Sequence, residues 1–319
     1  MSLNEKIFLY TLKNLQCFEN KPYVAVGVSG GPDSMALLHL VNYWIKLKKG
    51  KLVALIFDHC IRDGSSKESY LVKDMVNNLN IDAYVIKPKK NTLIKRNMAN
   101  ARANRLEGLI NYCKKNQILH LFLGHHFDDN LETYLIRKIN GSNIEGLKSM
   151  IILSNFNNTQ IVRPLINLRK SSILNYNKKH NIKFINDSSN KVVYFTRVKV
   201  RNFLQNNNYK KLVQSDFKEL KKQIPNYKKM IWELLIENLI DISPNHIKVS
   251  FNKLIKLEDL IIEKHLQCFL NFLVKNKSQT KSSKIMIFID VLKSPNFKYF
   301  NLKGVNIQKN SDFLTFSHK

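Results

Sequence analysis

Acidic residues are in short supply: 24 Asp and Glu stand against 52 Lys and Arg, a formal net charge of +28 over 319 residues. A chain so poor in negative charge carries a positive field that concentrates polyanions, which makes nucleic acid the natural partner. Lys, Asn and Ile are also abundant, as in an A/T-rich coding sequence, so compositional drift accounts for part of the excess. Cysteine is sparse as well. Cys17, Cys60, Cys113 and Cys268 lie too far apart for a CxxC pair or a zinc ribbon, and such usage fits a reducing compartment. No run approaches the roughly 18 apolar residues of a membrane span, so no membrane partner is expected. The opening segment 1–18 has a helical apolar pattern (Ile7, Leu9, Tyr10, Leu12, Leu15) flanked by Glu5 and Glu19. It lacks both the apolar core of a signal peptide and the Arg-rich, acid-poor composition of a transit peptide. No repeat of solenoid length occurs. These absences leave a soluble globular protein of a bacterial cytoplasm or of an organelle of bacterial descent.

What is present, with 44% hydrophobic residues, is enough apolar material for one sizeable domain and a smaller one. The first half repeats one pattern: a short apolar run rich in β-branched residues, a polar loop, then a segment of helical period. That pattern predicts an α/β domain with a parallel sheet. Strands are expected at 23–28, 52–57, 81–86 and 119–124, with a further extended stretch at 161–165. Helices are expected at 35–44, from a Ser65/Glu68 capping box to 79, at 98–115, from about 127 to 139, and at 173–179. The Asn-rich run at 205–208 is the candidate boundary, giving domains 1–204 and 205–319. The second is expected to be smaller and mainly helical. Helical patterns at 217–239 and 254–275 are joined by a Ser243-Pro244-Asn245 turn. After a polar linker at 275–284, short strands are expected at 285–289 and near Val305 and Leu314.

The strongest local signal is Ser29-Gly30-Gly31-Pro32-Asp33-Ser34, placed between a strand and a helix. Gly30 and Gly31 permit positive φ and close backbone approach to an anion, while loop amides and the helix N-terminus aim partial positive charge at it. Ser29 and Ser34 add hydroxyl donors, and Asp33 is a candidate Mg2+ ligand. A Gly-Gly pair alone would be an ordinary tight turn; six defined positions in a strand-loop-helix context are not. The pattern is not the GxxxxGK[ST] mononucleotide loop.

Four further motifs follow: Asp58-His59-Cys60-Ile61-Arg62, the 101–106 run with Arg102 and Arg105, the 124–133 run Gly-His-His-Phe-Asp-Asp-Asn-Leu-Glu-Thr, and Arg163-Pro164-Leu165. Then comes Asp187-Ser188-Ser189-Asn190 with Arg197 and Arg201. The loop resembles that of the PP-loop ATP pyrophosphatases, and the motifs occur in the order and spacing of the tRNA(Ile)-lysidine synthetases, over about 24–203. The resemblance implies an adenine-nucleotide α-hydrolase-like (PP-loop) fold for the first domain and a tRNA-recognition role for the second. It implies ATP and Mg2+ as cofactors, and as substrates L-lysine and a tRNA(Ile) with a CAU anticodon. In the implied reaction, ATP adenylates the C2 oxygen of the wobble cytidine, and the lysine ε-amine then displaces AMP.

By that resemblance, Asp129 and Glu132, three apart on one helical face, bind the incoming lysine. Ser29 to Ser34 with Asp58 and His59 bind ATP, although a polar cap on a strand end is an equal reading of Asp58 and His59. Arg102, Arg105, Arg197 and Arg201 are expected on phosphates of ATP or tRNA, with an ordinary solvated face as the alternative for the first two. His125 and His126 could ligate a metal with Asp128; the favoured reading puts one near ATP, His126 in a catalytic role, and the other in a structural one. The group that deprotonates the lysine is not identified, and neither is the oligomeric state, with a dimer possible. Some positions depart from the family. Cys60 replaces a usual Gly, Gly124 a usual Ala, Val192 an expected Asp, and Val198 interrupts the basic motif. A PP-loop cytidine thiolase, a metal-dependent phosphoesterase and a non-catalytic RNA-binding relative are the competing readings. The first lacks its cysteine pair, and the second leaves the glycine loop unexplained.

Overall fold

The computed structural model describes residues 2–60, 65–88, 98–144, 146–156, 158–185, 196–274 and 280–318. The chain forms two compact units, Met1–Phe217 and Lys218–Lys319.

The first unit is built on a six-stranded sheet in the order β3-β2-β1-β4-β6-β5. Its strands are β1 (Tyr23–Val28), β2 (Lys51–Phe57), β3 (Asp82–Ile86), β4 (His120–Leu123), β5 (Leu153–Phe156) and β6 (Thr159–Val162). All neighbours pair in parallel except β5, which runs antiparallel to β6 at the edge. Alternation along the strands sends side chains to two separate cores. Val24, Val26, Val28, Ala54 and Ile56 face α1 (Glu5–Leu15), α2 (Pro32–Lys48), α3 (Ser65–Asn77) and α6 (Lys170–Lys179). Ala25, Val53, Leu55, Leu121 and Leu123 face α4 (Met98–Lys115) through Leu109, Ile110 and Cys113. Burial on both faces is why these strands read as near-continuous apolar runs.

The chain leaves β1 for β2 and β3 on one side, then returns to place β4 on the other side of β1. Strand order therefore reverses between β1 and β4. Loops leaving the carboxyl ends of two such strands diverge and open a crevice. The glycine loop after β1 and the His125-His126 segment after β4 are the two that meet there. Their approach is tight: a Cβ added at Gly124 would lie 3.0 Å from the Asp33 carbonyl oxygen and 3.2 Å from the Ser34 nitrogen.

The second unit holds a five-stranded antiparallel sheet in the order β7-β8-β11-β10-β9. These are β7 (Leu239–Ser243), β8 (His246–Ser250), β9 (Tyr299–Leu302), β10 (Val305–Asn310) and β11 (Phe313–Ser317). With α9 (Phe251–Leu254), α10 (Asp259–Leu273) and α11 (Ser282–Leu292) they enclose one core, including Val249, Ile307, Phe316, Leu266 and Phe288. The helix α8 (Asn207–Asn238) begins in the first unit and ends in the second. The Asn-rich 205–208 run lies where α7 (Thr196–Gln205) gives way to α8.

Two expectations are corrected in this unit. Residues 285–289 are helical, inside α11, because the buried positions Ile285, Phe288, Ile289 and Leu292 follow i, i+3, i+4, i+7 spacing. That period outweighs the β-branched composition. The Ser243-Pro244-Asn245 turn connects β7 to β8 as a hairpin instead of joining two helices. His246 N bonds Ser243 Oγ at 3.2 Å, and the two residues pair again through the ring at 2.6 Å, which closes the turn.

The close approach at Gly124 sets an expectation. Gly124→Ala should lower unfolding free energy by about 1 kcal/mol, because the neighbour that must yield is backbone. It should also weaken ATP binding, since that backbone belongs to the loop. Urea denaturation and nucleotide titration measure both, and a variant as stable as the parent with unchanged nucleotide affinity would show that the loop yields freely.

Candidate active site

Helix α2 starts directly from the glycine loop. Gly31 is its N-cap, so no capping side chain covers the first-turn amides, and Pro32 opens the helix with a pre-set φ and no N–H to satisfy. Gly30 sits at φ +80°, and a Cβ there would lie 2.5 Å from Val72 Cγ2. Only glycine fits. Three loop carbonyls are tied back by other groups. Gly30 O accepts from Ile185 N (2.8 Å), Gly31 O from Ser34 Oγ (3.0 Å) and Pro32 O from Asn177 Nδ2 (2.9 Å). Ser34 Oγ also accepts from Ser29 N at 3.2 Å. With its carbonyls engaged, the loop is left to offer amides and hydroxyls, the donor set of an anion site.

The first two turns of α5 (Phe127–Ile139) supply the carboxylates. His126 is its N-cap: Asp129 N donates to His126 Nδ1 (3.4 Å), and Asp129 Oδ2 accepts from His126 N (3.1 Å), forming a capping box. Because Nδ1 accepts, Nε2 carries the ring proton. Nε2 lies 3.7 Å from Asp33 Oδ1 and 3.6 Å from Asp129 Oδ2, so one imidazole spans the glycine loop and the carboxylate helix. Glu132 is buried, with Arg197 Nε at 2.6 Å and Arg201 Nε at 2.8 Å; Arg197 also reaches Asp129 at 3.2 Å. Burial favours the neutral form of Asp129, but His126, His125 and Arg197 outweigh it and hold this carboxyl below the usual range.

The expected residues are thus distributed as follows. Asp33, His126, Asp129 and Glu132 come together, joined by Arg197 and Arg201, whose described partners are these carboxylates. Arg102 and Arg105 are close enough for their charges to act on the same carboxylates. Burial, Arg197 and Arg105 lower Arg102 to about 10 although part of its surface is exposed, and burial also lowers Arg105. Asp58 is buried at the end of β2 and accepts from Cys60 N (2.9 Å) and Ser66 Oγ (2.6 Å). Burial followed by Arg105 lowers the pKa of His59. Cys60 has φ +51°, in the region glycine occupies most readily, which is the physical reason a glycine suits this position. Asp128 accepts from Lys170 N (2.8 Å) and Lys210 Nζ (2.7 Å), so both its oxygens are already engaged by donors other than a metal. Arg62, Asp187-Ser188-Ser189-Asn190 and Val192 lie outside the described residues.

Sequence reasoning missed Lys170, whose Nζ contacts both oxygens of Asp33 at 2.6 and 2.5 Å. It also missed Asn177, seven positions along the same helix. Among so many lysines and asparagines neither carries a local signal; only the packing of α6 beside α2 selects them.

The PP-loop domain family matches residues 4–208. A protein named tRNA(Ile)-lysidine synthase from Wolbachia sp. subsp. Brugia malayi (strain TRS) is 30% identical over 315 residues, covering 96% of this chain and 72% of that protein. One of the same name from Orientia tsutsugamushi (strain Boryong) is 36% identical over 198 residues, 62% of this chain. That match spans only 45% of the Orientia protein's length. Among solved structures, the U34-tRNA thiolase NcsA from Methanococcus maripaludis, with its 4Fe-4S cluster, aligns with a TM-score of 0.53 at 18% identity. It covers 66% of this chain and 78% of that one, a likeness of fold.

His125 provides a test of the site's electrostatics. Burial, with Arg163, Arg102 and Arg105 adding to it against the pull of Asp129, takes its pKa down from 6.5 to about 3, and its buried Nδ1 has no hydrogen-bond partner among the described residues. Between those values the unfolded chain binds a proton that the folded chain does not, so this residue's contribution to stability is lost as pH falls from 6.5 towards 3. In His125→Gln the unfolding free energy should fall less between pH 7 and about pH 4.5 than in the parent. Denaturant titrations at the two pH values measure this, and parallel losses would contradict the assigned burial.

Proposed function

Since this chain belongs to the PP-loop family and, within it, to the tRNA(Ile)-lysidine synthases, we propose that it ligates L-lysine to C2 of the wobble cytidine in the CAU anticodon of tRNA(Ile). ATP is consumed and AMP and pyrophosphate are released through an adenylated tRNA intermediate. The observation that carries this reading is the span of His126 from Asp33, in the glycine loop, to Asp129, in the carboxylate group. A site for nucleotide phosphates and a site for an ammonium group thereby share one wall.

For adenylation, loop amides and the hydroxyls of Ser29 and Ser34 receive the phosphates, with Arg102 and Arg105 nearby to balance charge that develops on phosphorus. The loop fits a nucleotide because its carbonyls are engaged elsewhere, leaving amides and hydroxyls as donors, in a turn that a Cβ at Gly30 would drive into Val72. Mg2+ would be held by Asp33, and when bound it supplies charge neutralisation at the phosphates. Lys170 provides a positive charge at that carboxylate without it.

For the second step, Asp129 and Glu132 take the ammonium ends of lysine. They are already balanced by Arg197 and Arg201, so lysine binds by exchange with guanidinium contacts, and negative charge is never left bare in the pocket. The amine must lose a proton before it attacks. An imidazole held at about pKa 3, as His125 is, would be a poor acceptor at neutral pH. His126, whose Nδ1 caps α5 and whose Nε2–H faces Asp33 and Asp129, is assigned the role of holding those two carboxylates in place. The positive charge of the chain supports docking of tRNA, with 205–319 as the recognition domain.

The deciding measurement is tRNA-dependent release of pyrophosphate and lysine-dependent release of AMP with a CAU-anticodon tRNA(Ile) transcript; AMP release that ignores lysine, or pyrophosphate release that occurs equally without tRNA, would overturn the reading. Glu132→Gln keeps the shape but removes the charge that meets an ammonium. It should raise the KM for lysine by about 10-fold or more while adenylated tRNA accumulates. Circular dichroism checks that it folds, and an equal loss in both half-reactions would make Glu132 a structural residue.

A further inference from the structure

A second polar cluster uses none of the side chains assigned a role above. It is made of Glu5 in the first turn of α1, His39 on α2, and Tyr176 and His180 at the end of α6. One carboxylate oxygen of Glu5 and one ring nitrogen each of His39 and His180 lie within 4.8 Å of one another. Glu5 Oε1 is 3.2 Å from His180 Nε2, and that buried nitrogen has no hydrogen bond of acceptable geometry. The histidine rings are 5.3 Å apart between centroids.

Tyr176 sets the protonation pattern. Its hydroxyl donates to Glu5 Oε1 at 2.8 Å and stands 2.8 Å from His39 Nδ1. Burial and the Glu5 carboxylate push the phenol pKa upward, so it keeps its single proton, which points at Glu5. The hydrogen between Tyr176 and His39 must then come from Nδ1, and the lone pair of His39 resides on Nε2. The cluster therefore presents a carboxylate, an imidazole fixed by an outer hydrogen bond, and a second imidazole with an unbonded nitrogen.

We propose that Glu5, His39 and His180 form a binding site for a divalent transition metal, with Zn2+ as the ion it takes best, which clips α1 to α2 and α6. Two imidazoles and a carboxylate with an open fourth position are a zinc donor set. Donor atoms around tetrahedral zinc stand roughly 3.3 Å apart, given bonds of about 2.0–2.1 Å, so closure needs a side-chain contraction of at most roughly 1.5 Å at any pair. The tyrosine-to-histidine bond does what outer-sphere partners of zinc histidines do: it fixes the tautomer and the ring plane. The site is separate from Asp33, which lies six positions earlier on α2, and it does not depend on the proposed ligase activity.

The test uses the full chain, stripped with a chelator and titrated with ZnCl2 alone, without nucleotide or tRNA. One equivalent should bind and raise Tm, since a ligand held by the folded state stabilises it. Glu5→Gln, His39→Gln and His180→Gln should each weaken that binding at least 10-fold and abolish the Tm rise, Tyr176→Phe should weaken it roughly 10-fold, and Asp33→Asn should leave it unchanged. Glu5→Gln, at the start of α1, keeps the test valid if a histidine variant fails to fold. A parent chain that binds no zinc, or zinc binding that survives both Glu5→Gln and His180→Gln, overturns the proposal. So does a loss confined to Asp33→Asn.

Discussion

Buried negative charge at the head of α5 is the constraint to which the surrounding structure answers. Glu132 is almost fully enclosed and carries two guanidiniums, while Asp129 shares one of them and an imidazole. Removing one partner of such a group costs about 3–5 kcal/mol, because the other charge is left desolvated. The arrangement of α7 follows from this: Arg197 and Arg201, four apart on one face, are spaced to meet one carboxylate together. Asp128 is balanced in the same way by Lys170 N and Lys210, and Asp33 by Lys170 Nζ. Each acidic side chain around the crevice has a cation or amide on it.

That balance also shapes how the site can work. A pocket that is to take the ammonium groups and phosphates of the proposed reaction needs charges that can be exchanged without a large desolvation step. Arginine suits the role, since its fork can keep one contact while releasing another. Lysine on Asp33 suits the phosphate side as a compact charge on a flexible stem. The two adjacent imidazoles sit in different surroundings. His125 is kept neutral by burial and by the arginines around it, whereas His126 is held between carboxylates by the capping box of α5. Two adjacent histidines thus acquire different chemistry from the strand end and the helix start on which they sit.

The glycine loop depends on a different balance, in hydrogen bonds. Its carbonyls are held by Ile185 N, Ser34 Oγ and Asn177 Nδ2, so α6 and the segment after it shape a loop more than a hundred residues earlier in the chain. The residue next to Asn177 is Tyr176, which bonds Glu5 and borders His39. One turn of α6 therefore sets both the phosphate loop on one side and the Glu5–His39–His180 cluster on the other. A metal in that cluster would stiffen the helix that positions the loop.

Much was legible in the residues alone. The strands at 23–28 and 81–86, the helix over 35–44 and the anion loop between Val28 and Met35 follow from β-branched runs, glycine freedom and helical period, which are local properties, although the third strand starts one residue later and the helix opens at Pro32. The placing of Asp129 and Glu132 on one face follows from helical period. Local rules gave the wrong element at 285–289, where composition pointed to a strand and the buried spacing of Ile285, Phe288, Ile289 and Leu292 made a helix against the sheet. They gave no account of the β7–β8 hairpin partners, because strand pairing is settled by contacts distant in sequence. Tertiary structure alone decided that Lys170 lies on Asp33, that Arg197 and Arg201 meet carboxylates, and that His125 loses its proton affinity. Pairing between charges and the cost of burying them depend on which helices a sheet brings side by side, and that is a property of the packed chain, not of any window along it.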